Sequence, residues 1–248
     1  MPVWVEAGGW ALVGGMALVL GALVAWFVAV PKRIVAGVMA FGAGVLISAL
    51  AFDLVDEAES AGGMVPTVGG FLVGAFAYVG ANVLLARRGA QHRKRSSGQA
   101  TETATQGSGA AIAIGALLDG VPESVVLGLS LLDGRGVGIS VLAAVVISNV
   151  PEGLSSVAGM KAAGRGPRYV FGVWGGIALA SGLAGALGAL LLQDASATSI
   201  AFITAIAAGA ILAMLTDTMV PEAVERTHLF TGLVVALGFL AAFAINRA

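Results

Sequence analysis

Long, continuous runs of apolar residues follow one another along the chain, and only short polar connections separate them. Each run has about twenty residues, which is the length a helix needs to cross the apolar core of a bilayer. The eight runs cover residues 7–30, 34–55, 64–86, 110–132, 137–160, 170–192, 199–220 and 229–245. The pattern predicts an all-α polytopic membrane protein with eight transmembrane helices, folded as a single domain over residues 1–248.

The composition agrees with a protein that lies in lipid. Of the 248 residues, 58% are hydrophobic and only 11% are charged, whereas soluble domains carry roughly a quarter charged residues. A water-soluble protein is therefore excluded. The chain contains no cysteine, so disulfides, thiolate metal sites and cysteine nucleophiles are excluded as well.

The basic residues lie in the connections, mostly on one side of the predicted membrane. That side holds Lys32, Arg33, Arg87, Arg88, Arg93, Lys94, Arg95, Lys161, Arg165, Arg168 and Arg226. Because short basic loops stay in the cytoplasm, we expect both termini to be extracytoplasmic. The expected location of the protein is the cytoplasmic (inner) membrane of a prokaryote. The connection 87–109, basic at first and then rich in Ser, Thr, Gln and Gly, predicts a flexible cytoplasmic loop. The lipid bilayer is the expected partner, and the net charge of -1 gives no indication of nucleic acid.

Two internal similarities divide the chain. Residues 119–124 (DGVPES) align with residues 148–153 (SNVPEG), in neighbouring runs that would cross the membrane in opposite directions. Residues 43–58 align more weakly with residues 208–223. Together they predict a 3+2+3 arrangement of inverted repeats about an axis in the membrane plane, which places a substrate site near the midplane.

Three acids lie well inside apolar runs: Asp119, Glu123 and Glu152. A carboxylate inside hydrocarbon is costly unless it faces a cavity or a partner. No Lys or Arg lies within a run to neutralise these acids, so a cation is the expected partner. The other interpretation is that the acids are protonated and hydrogen-bond between helices.

Four further acids lie nearer the ends of runs, where carboxylates commonly reach the interface. They are Asp53, Glu57, Asp217 and Glu222. We interpret them either as interfacial side chains or as residues of a pathway or gate.

The residues around the buried acids suit a hard cation. Asp119 and Glu123 share one helix face, as do Ser148 and Glu152, because each pair is four residues apart. Pro122 and Pro151 each remove a helical hydrogen bond, which leaves the carbonyls of Leu118 and Ile147 available as oxygen ligands. Oxygen ligands suit divalent metals in general, and no His or Cys lies within a run to supply softer donors.

These residues resemble the ZIP (Zrt-, Irt-like protein) family of metal transporters, and the resemblance covers essentially the whole chain. Residues 119–124 match the family's fourth-span motif, His-Asn-x-Pro-Glu-Gly, and residues 148–152 match its fifth-span motif, which also contains Pro followed by Glu or His. Residues 217–223 (DTMVPEA) are similar to the family's seventh span. The resemblance implies eight spans with both termini outside.

The resemblance also implies a mononuclear or binuclear metal site. Glu123 and Glu152 take the bridging positions, Asp119 and Ser148 take the places of imidazole or amide ligands, and Asn149 takes the place of a second-site acid. The chain departs from the family where Asp119 replaces His and a glycine replaces the neighbouring Asn. These departures favour a harder ion than zinc, such as manganese, iron(II) or magnesium.

The expected function is secondary transport of divalent cations (zinc or a related ion such as Mn2+, Fe2+ or Cd2+) towards the cytoplasm by alternating access. The metal is the substrate, and no prosthetic group and no enzymatic activity are expected. Two alternatives remain at this point. One is a ZIP-like membrane sensor or scaffold that transports nothing, and the other is a transporter of protons or small organic cations.

The sixth run carries a stripe of small residues, Gly172, Gly176, Ala180, Ala184 and Gly188, at every fourth position. Small residues at this spacing let helices approach closely. We interpret the stripe as a close helix contact or as the face of a homodimer. Trp174, near the start of the same run, is predicted to be an interfacial anchor.

Overall fold

The computed structural model describes residues 1–90, 108–132, 134 and 136–247, and no strand occurs among them. The predicted loop 87–109 lies for the most part outside these residues. The α-helices are α1 (Val3–Phe27), α2 (Lys32–Ala49), α3 (Asp56–Gly62), α4 (Met64–Leu85), α5 (Ser108–Leu129), α6 (Ile139–Ala162), α7 (Pro167–Leu192), α8 (Ala197–Met214), α9 (Val220–Thr227) and α10 (Thr231–Asn246).

Six continuous helical rods of the described chain are long and apolar enough to cross a membrane. They are Val3–Phe27, Lys32–Gly62, Met64–Arg88, Ile139–Ala162, Pro167–Leu192 and Ala197–Glu225. The last helix, α10, is apolar but shorter. These rods indicate an integral membrane protein, and the predicted all-helical class is confirmed in the described part of the chain.

Two of the rods contain a π-helical segment in the middle. Leu50–Val55 joins α2 to α3, and Leu215–Met219 joins α8 to α9, whereas a third π-helical segment, Ala86–Ala90, follows the end of α4. In a π-helix the backbone hydrogen bonds span one residue more than in an α-helix, and such segments occur frequently at functional sites. Leu50 and Leu215 are aligned positions of the weaker internal similarity, so both copies carry the irregularity at the same place.

The helices pack in a regular set of pairs around a core of Ala, Leu, Val and Met side chains. α1 lies against α6 and α7, and α5 also lies against α7. α2 contacts α6 and α10, while α8 contacts α4 and α5. α4 lies at the edge of the bundle and exposes most of its apolar side chains, including Val65 and Phe76. α5 and α6, which contain Asp119, Glu123 and Glu152, thus each contact several other helices, and the three acids are buried.

Glycines bring the backbones of α4 and α8 into direct contact. A Cβ added to Gly74 of α4 would collide with the carbonyl oxygen of Ile206, and one added to Gly209 of α8 would collide with the carbonyl oxygen of Phe71. A glycine of each helix is therefore packed directly against a backbone carbonyl group of the other helix. Side chains larger than hydrogen cannot occupy either position without separating the helices.

The same reciprocal contact joins α2 and α10. A Cβ at Gly44 of α2 would meet the carbonyl oxygen of Val235, and a Cβ at Gly238 of α10 would meet that of Phe41. The positions in α2 and α8 correspond in the internal similarity, since Gly44 aligns with Gly209. The two peripheral helices α4 and α10 are therefore attached in the same way to the two rods that contain π-helical segments.

The structure corrects two expectations about the sixth run. Trp174 is completely buried, so its prediction as an interfacial anchor is wrong. Gly172 and Gly176 have no atom within 4 Å of an added Cβ, and with Ala180 they line a groove of about 510 Å³ between α5 and α7. The interpretation as a close helix contact is therefore wrong for these two glycines, and the homodimer face stays a prediction.

The glycine contacts predict a position-specific cost of adding a methyl group. Gly74→Ala is expected to lower the free energy of unfolding by about 1–3 kcal/mol, because the new methyl group meets a backbone carbonyl that cannot move alone. The control is Gly80→Ala on the same helix, where an added Cβ meets nothing within 4 Å. Unfolding of the purified protein in detergent measures both. Equal stability of the two variants would contradict the packing described here.

Candidate functional site

α5 carries two acids into the centre of the bundle. Asp119 and Glu123 lie one turn apart on the same face, and both are almost completely buried. Pro122 lies inside the helix between them, which agrees with the prediction from the sequence. Buried carboxyl groups in a membrane helix need a polar partner or a cavity, so their immediate surroundings decide what they do.

Glu123 lines a small cavity in the core. Its walls are otherwise apolar and come from α2 with its π-helical segment, from α5, from α6 and from α8: Leu46, Ala49, Leu50, Leu54, Val126, Val141, Ala144, Val145 and Ile211. The cavity has about 10 Å³ of space, which is close to the minimum that holds one water molecule. Glu123 therefore lines a space of about the size of one water molecule.

An acidic cleft lies next to this cavity. Its volume is about 430 Å³, and it is lined by Phe52, Asp53, Asp56, Glu57, Ser60, Ser130, Gly136, Val137, Gly138, Ser140 and Val141. Asp56 and Glu57 are exposed. Val141 lines both the cleft and the cavity of Glu123, so only a thin layer of apolar side chains separates the two.

Asp53 connects three helices at the edge of the cleft. It lies in the π-helical segment Leu50–Val55, and its Oδ1 accepts a hydrogen bond of 2.8 Å from the hydroxyl of Ser140 at the start of α6. The same oxygen accepts a hydrogen bond from the amide of Asn246 at the end of α10. The side chain of Asp53 therefore joins the rod Lys32–Gly62 to α6 and α10.

Asp119 has its partner on a different helix. The hydroxyl of Tyr78 on α4 donates a hydrogen bond of 2.6 Å to Asp119 Oδ1, and both side chains are buried. One turn further along α4, the amide of Asn82 donates to Asp217 Oδ2 at 3.0 Å. α4 therefore presents two donors to carboxylates of two other rods.

The predicted ligands of α6 have separate surroundings. Ser148, Asn149 and Glu152 are all buried. The hydroxyl of Ser148 donates to the carbonyl of Val145 in the preceding turn. The amide of Asn149 donates at 2.9 Å to the carbonyl oxygen of Gly14 on α1, so this amide group is directed towards α1.

The carbonyl of Ile147, which Pro151 releases from the helical hydrogen bonds, faces α2. A Cβ added to Gly42 of α2 would lie 3.5 Å from this oxygen and 3.2 Å from the Cα of Ser148. Gly42 thus lets α2 approach the irregular turn of α6 closely.

The acids near the ends of the runs fall into different environments. Glu222 is buried, and its Oε1 accepts a hydrogen bond of 3.1 Å from Ser155 of α6. Asp217 and Glu57 are exposed, and Asp53 is partly buried. The interpretation as an interfacial side chain is therefore wrong for Glu222, whose position joins α9 to α6.

The predicted five-residue metal site, Asp119, Glu123, Ser148, Asn149 and Glu152, stays a prediction. In the described part of the chain, no group of three or more His, Cys, Asp or Glu side chains is placed to hold a metal ion. What the structure does bring together is Glu123 with residues of α2, α6 and α8 around one cavity.

Sequence reasoning missed the donors that bind the acids. They are Tyr78, Asn82, Ser140, Ser155 and Asn246. Each lies far along the chain from its acid, so spacing within a run does not reveal the pairs. A signal was present for Tyr78 and Asn82, because two polar residues four apart in an apolar run share one helix face.

The contacts of Asp53 predict local opening when they are lost. Asp53→Ala removes the acceptor of Ser140 and Asn246, and backbone amides in the last turns of α10 are expected to exchange with solvent about tenfold faster. The size follows from the roughly 1 kcal/mol that each of the two lost hydrogen bonds contributes, since about 1.4 kcal/mol corresponds to a factor of ten. Hydrogen exchange with mass spectrometry of residues 231–247 measures it. The control is Asp56→Ala, which changes an exposed acid of the same cleft. Identical hydrogen exchange in both variants would contradict the proposed role of the hydrogen bonds of Asp53 in holding the end of α10.

Comparison with known proteins assigns no family to this arrangement. No protein-family model matches the chain, and no curated protein matches it. The resemblance to the ZIP family thus stays a prediction that rests on the sequence motifs.

Proposed function

We propose that the protein is a ZIP-like secondary transporter that carries divalent metal cations towards the cytoplasm. The observation that carries this proposal is the position of Glu123. Glu123 lines a small cavity in the core, and that cavity shares the apolar residue Val141 with an open cleft lined by Asp53, Asp56 and Glu57. An acidic entrance next to a buried carboxylate is the arrangement that attracts a cation and then removes it from water.

The proposal includes eight membrane spans in the 3+2+3 arrangement of inverted repeats. Three features support it. The two π-helical segments begin at the aligned residues Leu50 and Leu215. Reciprocal glycine contacts attach α10 to α2 and α4 to α8 in the same way. The helix contacts also correspond when α1 to α4 are exchanged with α7 to α10 and α5 is exchanged with α6. Under this exchange the contact of α2 with α6 becomes the contact of α8 with α5, and both are present. Transporters with inverted repeats bind substrate at the repeat interface.

The orientation follows from the basic residues. The cleft lies at the end of α2 opposite Lys32 and Arg33, and at the end of α6 opposite Lys161. With the basic ends in the cytoplasm, the cleft opens to the extracytoplasmic side and both termini are outside. The cation then enters through the cleft and passes Glu123 before it reaches the half of the bundle that contains Asp119 and Glu222.

Alternating access needs contacts that break on one side while others form on the opposite side. Asp53 joins α6 and α10 at the cleft, and Glu222 joins α9 to Ser155 of α6 near the other end. α6 takes part in both contacts. We propose that the π-helical segments Leu50–Val55 and Leu215–Met219, which lie close to these contacts, accommodate the change in helix direction, because helices commonly change direction at π-bulges.

The available ligands decide which cations fit. Asp119, Glu123 and Glu152 offer carboxylate oxygens, and the carbonyls of Leu118 and Ile147 offer backbone oxygens. Both histidines of the chain lie outside the apolar runs. Oxygen-rich sites suit Mn2+, Fe2+ and Mg2+ better than zinc, while Zn2+ and Cd2+ remain substrates to be compared in the same assay. In this conformation the acids do not form one group, so the proposed cycle brings them together when the cation binds.

The test is uptake of divalent cations into proteoliposomes that contain the purified chain. Glu123→Ala and Glu152→Ala are each expected to abolish uptake of Mn2+, Fe2+, Zn2+ and Cd2+, because each removes a buried oxygen ligand. Both variants are expected to insert into the membrane normally, which detergent extraction and gel filtration measure. Glu59→Ala, which changes an exposed acid outside the cleft lining, is the matched control and should transport like the unchanged protein.

Three results distinguish the proposal from its alternatives. Normal uptake by both core variants would overturn the role of these acids. No metal flux by the unchanged protein would favour a sensor or scaffold. Flux of protons or organic cations that depends on Glu123 but ignores all four metals would favour a relay of acids over a metal transporter.

A further inference from the structure

A buried hydrogen bond connects an acid of the proposed site to α4, a helix that supplies none of the predicted ligands. Tyr78 of α4 donates its hydroxyl proton to Asp119 Oδ1 at 2.6 Å. Tyr78 is 2% exposed and Asp119 is 1% exposed. A distance of this size is that of a short, well-formed O–H···O hydrogen bond.

The packing of α4 makes the position of Tyr78 precise. The buried residues of α4 are Thr67, Gly70, Gly74 and Tyr78, which form one face against α8. The added-Cβ contacts at Gly70 and Gly74 are with the backbone carbonyls of Phe202 and Ile206. These contacts bring α4 and α8 together backbone to backbone in the two turns before Tyr78. Tyr78 continues the same buried face and reaches α5 through its hydrogen bond to Asp119.

The next turn of α4 makes a second hydrogen bond to a carboxylate, this time on the rod that contains α8 and α9. Asn82, four residues after Tyr78 and on the same face, donates to Asp217 at 3.0 Å. Asp217 lies in the π-helical segment Leu215–Met219. Two successive turns of α4 thus bind carboxylates of α5 and of the rod from α8 to α9. Chance contacts of an edge helix do not explain two such donors in register.

We propose that Tyr78 is a positioning residue of the metal site, which orients the carboxyl group of Asp119 towards the cation. This inference rests on the proposed function. A carboxylate that rotates freely loses conformational entropy when it binds a metal, whereas one held by a hydroxyl donor has already lost it. Partners of ligand groups in metal proteins contribute about 10–100-fold to metal affinity. Tyr78 itself does not bind the metal.

The first test is the kinetics of Mn2+ uptake by the full chain in proteoliposomes. Tyr78→Phe keeps the ring and removes only the hydroxyl, so the apparent KM for Mn2+ is expected to rise about 10–100-fold while the maximal rate stays near that of the unchanged protein. Tyr169→Phe removes the hydroxyl of the other tyrosine, which lies beside Arg165 at the start of α7, and is expected to change neither quantity. An unchanged KM for Tyr78→Phe, or a lower maximal rate with an unchanged KM, would overturn the inference.

A double-mutant cycle tests whether Tyr78 acts through Asp119. If it does, the variant with both Tyr78→Phe and Asp119→Asn has the same KM as Asp119→Asn alone, because the hydroxyl has no charged carboxylate left to orient. If the effects of the two substitutions on KM were independent and additive, Tyr78 would not act through Asp119, and the inference would be overturned.

A spectroscopic measurement separates this inference from the proposed function. Tyr169→Phe leaves Tyr78 as the single tyrosine, so 13C-labelled tyrosine gives one Cζ resonance that reports on the hydrogen bond to Asp119. Addition of Zn2+ or Cd2+, which are diamagnetic, is expected to shift this resonance, and Glu123→Ala is expected to abolish the shift. Metal binding by calorimetry without a shift would overturn the role of Tyr78 and leave the proposed function standing. The absence of any metal binding would overturn both.

Discussion

A carboxyl group buried among membrane helices must have a polar partner, because hydrocarbon provides none. In this protein that requirement determines how helices from distant parts of the chain are connected. Asp119 is bound by Tyr78 of α4, Glu222 by Ser155 of α6, and Asp53 by donors from α6 and α10. The acids therefore serve as junctions between helices as well as candidate ligands.

Backbone contact supplies the rigidity that these junctions need. Where Gly74 and Gly209 bring α4 and α8 together, the distance between the helices is set by main-chain atoms, and flexible side chains have little influence. The same holds for Gly44 and Gly238 between α2 and α10. Each peripheral helix is thus packed backbone to backbone against one rod. The π-helical segments are the irregular parts of those rods, and they lie next to the acids.

The sequence predicted the helical class and the burial of Asp119, Glu123 and Glu152, because long apolar runs and isolated acids are local signals. Pro122 and Pro151 were correctly placed inside helices for the same reason. The sequence did not predict that Asn149 binds the carbonyl of Gly14, or that Trp174 is buried. Those facts depend on which helix faces which. Glu222 is the clearest example. Its position near the end of an apolar run indicated a side chain at the membrane interface, whereas packing against α6 buries it.

The location of α4 has a structural consequence. Its outer face is apolar and exposed, with Val65, Leu72 and Phe76 directed away from the core, while Tyr78 on its inner face reaches Asp119. On that inner face α4 is packed backbone to backbone against α8. Tyr78 and Asn82 then extend from it to Asp119 and Asp217. The environment of the buried acid Asp119 therefore depends on where the outermost helix of the bundle lies.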